Sequence, residues 1–109
     1  MNEVKLLSEK DKMHIDYENH SFMLGVYSFY DTEANTYDIP FYCNNDLFAN
    51  RHYKTVMQKE SSMKLFEEHY ELHRLGYYNK KTSKFHEFKD VLIEGKIQKK
   101  LREAYDEQS

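Results

Sequence analysis

With 109 residues, 39% of them hydrophobic, and a mean hydropathy of −0.95, the chain has material for one modest core and not for two. Its single cysteine, Cys43, excludes an internal disulfide framework, and no apolar run approaches the roughly 18 residues of a membrane span. The formal net charge of −3 argues against a uniformly basic coat for nucleic acid, and the opening Met1-Asn-Glu-Val-Lys5 lacks a signal peptide's apolar core, so the chain reads as soluble and unsecreted.

Residues 1–20 carry Glu3, Glu9, Asp11, Asp16 and Glu18 with scattered apolar positions, which predicts an acidic N-terminal arm or short helix. Ser21 to Tyr30 is apolar on both parities, with Phe22, Leu24 and Val26 on one and Met23, Tyr27 and Phe29 on the other. That pattern predicts a central strand covered on each face. Asp31 to Thr36 is a polar connection of hairpin length, and Tyr37 to Cys43 reads as the antiparallel partner strand. Pro40 lacks a donor and pushes Ile39 toward extended backbone.

Asn44, Asn45 and Asp46 offer side-chain oxygens to the unpartnered N–H groups of a helix's first turn. Ala49, Tyr53, Val56 and Met57 then form one stripe, with Phe48 at its border, predicting a helix from Asp46 to Lys59. Across Glu60 to Glu68, Ser61-Ser62 is a weak breaker or new cap, and Met63, Leu65 and Phe66 are expected to fold back on the core. Tyr70 to Tyr78 reads as a Tyr-rich strand, Asn79 to Ser83 as a polar turn, and Lys84 to Val91 as a returning strand anchored by Phe85 and Phe88. Ile97, Leu101 and Tyr105 at i, i+4 and i+8 suggest a C-terminal helix, separated from the sheet by Gly95.

The expected fold is α+β: a four-stranded antiparallel sheet in the order β-β-α-β-β, with a packed central helix and a C-terminal helix. The single α+β domain covers 21–94, preceded by the acidic arm at 1–20 and followed by a basic helix at 95–109.

Several familiar chemistries find little support. The glycines, Gly25, Gly76 and Gly95, form no phosphate-cradling loop, so no nucleotide cofactor is expected. His69 and His73 lack the His-Glu-x-x-His order of a zinc protease helix. On a strand they would lie about 13 Å apart at ~3.3 Å per residue, too far for one ion, and no metal is expected. Cys43 has no local nucleophile signature and reads as a half-buried strand residue. No catalytic residue, and no enzyme activity, is expected.

Charge distribution points elsewhere. Residues 1–70 hold 7 Lys/Arg against 12 Asp/Glu, whereas residues 71–102 hold 9 against 4. In that basic third, cations alternate with rings: Arg74, Tyr77, Tyr78, Lys80, Lys81, Lys84 and Phe85, with Lys96, Lys99, Lys100 and Arg102 beyond. Single-strand binders combine cations along the phosphates with rings that stack on bases, so Arg74, Tyr77, Tyr78, Lys80, Lys81, Lys84, Lys99, Lys100 and Arg102 are the candidate nucleic-acid-binding residues. An ordinary core of rings beneath a solvated lysine turn would carry the same residues.

A second class of function is a small inhibitor of a host protein, of an anti-defence or DNA-mimic kind, with Asp11, Asp16, Glu18, Asp31, Glu33 and Asp38 standing where phosphates would lie. A third is a homodimer formed through an exposed sheet edge.

Val26-Tyr-Ser-Phe-Tyr-Asp31, Pro40-Phe41-Tyr42, Asn45-Asp46-x-x-Ala49-x-Arg51 and Tyr70-Glu-Leu-His-Arg-Leu-Gly76 occur in an order and spacing that resembles the small nonstructural protein of gokushovirus-type microviruses. The resemblance spans Val26 to Phe88. It implies a viral protein absent from the particle, acting in the cytoplasm of the infected bacterium around single-stranded DNA synthesis or packaging. Its implied partners are single-stranded DNA or a phage or host DNA-handling protein, with no membrane, and it supplies no catalytic residues.

Overall fold

The computed structural model describes residues 22–59 and 61–108, so the acidic arm expected at 1–20 lies outside the described residues. Strands β1 (Met23–Asp31), β2 (Thr36–Tyr37) and β3 (Phe41–Cys43) precede helices α1 (Asp46–Lys59) and α2 (Ser61–Leu65). A 3-10 turn at Glu67–His69, strands β4 (Tyr70–Asn79) and β5 (Lys84–Glu94), and helix α3 (Gly95–Gln108) complete the order.

All pairings are antiparallel, in the sheet order β2-β1-β4-β5, with β3 also on β1. β4 pairs with β1 along its whole length, so β2 and β3 share the other edge. β1 is therefore the interior strand that its two apolar parities predict.

The five-stranded sheet corrects the four-stranded expectation at one place: the segment Tyr37 to Cys43 is two short strands. Pro40 cannot donate to a ladder. The Asp38 N–H donates to the Phe29 carbonyl at 2.9 Å and the Ser28 hydroxyl donates to the Asp38 carbonyl at 2.7 Å, which hold the chain against β1 as it leaves regular pairing. Ile39 between them is 81% exposed.

Helix α1 begins where the cap predicts. Asn45 Oδ1 accepts the Phe48 N–H at 3.1 Å, and the Ala49 N–H reaches the Asn45 carbonyl. Asp46, the next residue, turns its carboxylate toward the sheet. Ala49, Tyr53 and Met57 are buried against Tyr27, Phe29, Leu72 and Ile93, with Phe41, Cys43, Val56 and Met63 at the margin. Truncating a buried aromatic of this kind costs about 3–5 kcal/mol, so the stripe is what fixes α1 to one face of the sheet.

The segment after α1 only partly returns to the core. Met63 packs inward, but Leu65 is 70% exposed and Phe66 is 49% exposed. A helix of this length presents one face, and Leu65 lies roughly 200° around it from Met63. Phe66 leaves the helix and stacks on His69 instead, with ring centroids 6.0 Å apart.

β5 is also anchored by one ring rather than two. Phe88 is buried with Met23 and Tyr77, while Phe85 lies on the opposite face and is exposed. Gly95 is the first residue of α3 rather than a spacer. A Cβ there would collide with the carbonyl oxygens of Glu67 and Tyr70, so the helix starts hard against the 3-10 turn. Lys99 Nζ then donates to Glu68 Oε2 at 2.8 Å, and the Arg102 guanidinium forks onto buried Glu67, with Nη1 donating to Oε2 at 2.9 Å.

The Lys99–Glu68 contact and the buried Arg74, 3% exposed with Nη1 donating to Asp46 Oδ2, each contribute measurably to stability. Lys99 holds the Glu68 carboxyl below its ordinary value of 4.5, and Glu68 holds the Lys99 ammonium above its ordinary 10.5. A lowered carboxyl stabilises the fold above the ordinary value and loses that contribution as pH falls through the lowered one; a raised ammonium does the reverse in alkali. The melting temperature of Glu68→Gln is therefore expected to fall slightly below wild type between about pH 5 and pH 10, and to match it in acid beneath Glu68's lowered value. Arg74→Ala is expected to lower stability by about 3 kcal/mol, read from the urea midpoint, because it strips a buried cation from its carboxylate and empties its packing site. An Arg74→Ala midpoint equal to wild type would contradict that account.

Candidate nucleic-acid interface

The structure divides the nine sequence-identified residues into three groups. Arg74 and Tyr77 point into the molecule. Arg74 is 3% exposed: Nη1 donates to Asp46 Oδ2 at 2.6 Å, Nη2 to Asp90 Oδ2 at 3.4 Å, and the guanidinium lies over the Phe88 and Tyr77 rings. Asp46 Oδ1 also accepts the Tyr27 hydroxyl at 2.8 Å. Tyr77 is fully buried against Met23 and Phe88. Neither side chain is placed to meet a ligand, which corrects the expectation for both.

The second group is Lys99, Lys100 and Arg102 on α3. Lys99 and Arg102 hold that helix to Glu68 and Glu67, and Lys100 is exposed. The third group is Lys80, Lys81 and Lys84 at the β4–β5 tip, with Tyr78 just before it. β5 separates the tip from α3, and its 11 residues span roughly 33 Å at ~3.3 Å per residue. The basic third of the sequence thus makes two cationic regions at opposite ends of the sheet.

The tip is a built turn. Asn79 Oδ1 accepts the N–H groups of Lys81 and Thr82, the Ser83 N–H donates to the Asn79 carbonyl at 2.7 Å, and Ser83 takes a φ of 58°. The Lys80 N–H donates to the Phe22 carbonyl at 2.9 Å, and Lys81 Nζ lies 4.7 Å from the Phe22 ring centre. The strand pairing brings the start of β1 and the end of β4 together here, Met23 facing Asn79.

Beside the lysines, the sheet face opposite α1 carries rings. Tyr27 and Phe29 face α1, so Leu24 and Val26 project from the other side of β1. Their register partners share that side: Tyr42 faces Val26, Tyr78 faces Leu24, and Phe85 faces Tyr78 on β5. Tyr42 is 54% exposed and Phe85 50%, and the Tyr42 and Tyr78 rings meet edge to face at 5.8 Å. Tyr42 was not among the nine; its place in the cluster depends on a pairing two strands away from Tyr78, which no local pattern reports.

The other chemistry-bearing residues have structural partners. His73 accepts or donates between Tyr37 Oη and Glu71 Oε1, both at 2.8 Å, and His69 Nε2 lies 3.4 Å from Glu33. No group of three His, Cys, Asp or Glu among the described residues is arranged to hold a metal ion. Cys43 is half-buried beside the α1 core, and burial pushes its thiol above the ordinary value, away from the thiolate that a nucleophile needs. At the acidic end, Asp31 Oδ1 accepts the N–H groups of Glu33 and Ala34 and so serves the β1–β2 turn. Asp11, Asp16 and Glu18 lie outside the described residues. No described helix is long and apolar enough to cross a membrane.

Comparison with curated proteins and with solved structures finds no match. A family model does match, over residues 24–97, from the first apolar positions of β1 to the start of α3. That stretch contains β1 apart from Met23, β2 to β5, α1 and α2, and therefore the whole Tyr27–Asp46–Arg74 network. Covering more than half of the chain, the match shows that this is a phage protein, a member of the family of the phage ORF5 protein.

Proposed function

We propose that this chain is a nonenzymatic, nonstructural protein of a gokushovirus-type microvirus that contacts single-stranded DNA in the cytoplasm of the infected bacterium. The observation that carries the reading is the conjunction at one end of the sheet: Lys80, Lys81 and Lys84 on a tight turn, beside Tyr42, Tyr78 and Phe85 on the face opposite α1, where Tyr42 and Phe85 are exposed. Phosphates can follow the lysines while bases lie on the rings, an arrangement that needs no sequence readout. Duplex DNA keeps its bases stacked on one another and offers these rings nothing. Phage membership fits such a task, and the coarse position of the surface agrees with the residue types that the sequence singles out.

The test is binding of the full chain to a fluorescent oligothymidine and to the matching duplex. Single-strand affinity is expected to fall with salt with a log–log slope of about −2, as three lysine–phosphate contacts imply. Lys80→Glu combined with Lys81→Glu and Lys84→Glu should abolish it. Phe85→Ala and Tyr42→Ala should each weaken it roughly tenfold, in keeping with about 1–3 kcal/mol per stacked base. Equal affinity for duplex, or an unchanged affinity in the triple variant, would overturn the proposal.

A further inference from the structure

Helix α3 is packed with the wrong face inward. Gly95, Gln98, Lys99 and Arg102, spaced i, i+3, i+4 and i+7, lie toward the body, with Gly95 buried and Lys99 and Arg102 ion-paired to Glu68 and Glu67. The apolar stripe lies to one side of those contacts and is left exposed: Ile97 is 49% exposed, Leu101 59% and Tyr105 72%. An amphipathic helix on a monomer ordinarily buries its apolar stripe. Beside Leu101 runs an open groove of about 290 Å³ between α3 and α1, walled on the α1 side by Tyr53, Lys54, Met57 and Gln58. The described residues therefore leave that flank of the stripe open.

The charge order of α3 indicates what covers it. Residues 95–102 contain Lys96, Lys99, Lys100 and Arg102 with no acid, and residues 103–108 contain Glu103, Asp106 and Glu107 with no base. This order opposes the helix's own dipole, which favours acids at the N-terminus and bases at the C-terminus. With Lys99 and Arg102 committed to Glu68 and Glu67, the exposed cations of the first half are Lys96 and Lys100, and a second α3 lying antiparallel brings them beside the acidic half of its partner. The helix is thus complementary to itself in one orientation only.

We propose that this face binds a second copy of the chain, with the two α3 helices antiparallel about a twofold axis near Leu101. Leu101 then meets its own symmetry mate, and Ile97 of each copy meets Tyr105 of the other. The 14-residue helix is about 21 Å long, and one pair of helices this short offers less than the ~1,200 Å² that stable complexes bury. The dimer is accordingly reversible and concentration-dependent. A sheet-edge dimer would instead run along β5, whose length carries Lys84, Glu87, Lys89, Asp90 and Glu94, the kind of edge that discourages strand pairing.

Sedimentation velocity of the full chain, from low micromolar to near-millimolar concentration, should show the mass rise from 13.3 kDa toward twice that value. Leu101→Asp and, at the more exposed position, Tyr105→Asp should each keep the protein monomeric while leaving its circular dichroism unchanged. In a Cys43→Ser background, a mixture of Ile97→Cys and Tyr105→Cys chains should cross-link on oxidation, and neither alone should do so. The proposal is overturned by a monomer at every concentration, as when residues 1–20 or a lipid surface take the face. It is equally overturned by a dimer indifferent to both Asp variants, or by cross-linking of Ile97→Cys to itself, which marks parallel helices. None of these readouts involves DNA, so the single-strand reading stands or falls separately.

Discussion

The ion pair between Arg74 and Asp46 is the constraint on which the arrangement of layers depends. Arg74 belongs to β4 and Asp46 to the first turn of α1, so their 2.6 Å contact fixes where the helix begins over the sheet. Tyr27 on β1 holds the other oxygen of Asp46, and Asp90 on β5 takes a second arm of Arg74. Four elements are thus joined through one arginine–aspartate pair. Hydrophobic packing of Ala49, Tyr53 and Met57 supplies most of the attraction between α1 and the sheet, but apolar contact tolerates sliding. A fork of directed bonds does not, which gives this pair a positional role beyond its net energy.

That constraint has a consequence for function. An arginine committed to the layer interface cannot serve phosphate, and Tyr77 packed beneath it cannot stack on a base. The usable cations near the rings are then the lysines of the β4–β5 turn, because Lys99 and Arg102 are spent on Glu68 and Glu67 at the far end. A basic stretch of sequence becomes two surfaces with different duties, one free to meet an external ligand and one largely occupied in seating a helix.

The two α1 ends show how much of this was legible. Asn45 as cap, Lys59 as last residue and the Ala49–Tyr53–Met57 stripe follow from local stereochemistry and periodicity, and the helix has those bounds. Tyr37 to Cys43 reads as one strand because its residues favour extended backbone, but continuity depends on which N–H groups find partners on β1, and Pro40 supplies none. Arg74 and Tyr77 were misplaced for a related reason. Three residues apart, they belong to opposite faces of a regular strand, yet the register against β1 steps from Val26–Gly76 to Tyr27–Arg74 and leaves Leu75 as an extra residue. The bulge brings both onto the α1 side. Alternation within one strand cannot reveal a bulge, since it is a property of the pairing.

The exposed stripe of α3 belongs to the same class of hidden information. Its i, i+4, i+8 spacing correctly indicates a helix and, by the usual logic, an apolar face turned to the core. What reverses the orientation is Gly95, which lets the helix start approach two carbonyl oxygens, followed by Arg102 reaching a glutamate that is itself 3% exposed. A buried Glu67 left without its cation would be costly, so the polar face is drawn inward and the apolar face is displaced outward. The composition of one helix therefore follows from the need of a single carboxylate on the neighbouring turn, and the apolar surface so exposed is large enough to require company but too small to hold it permanently.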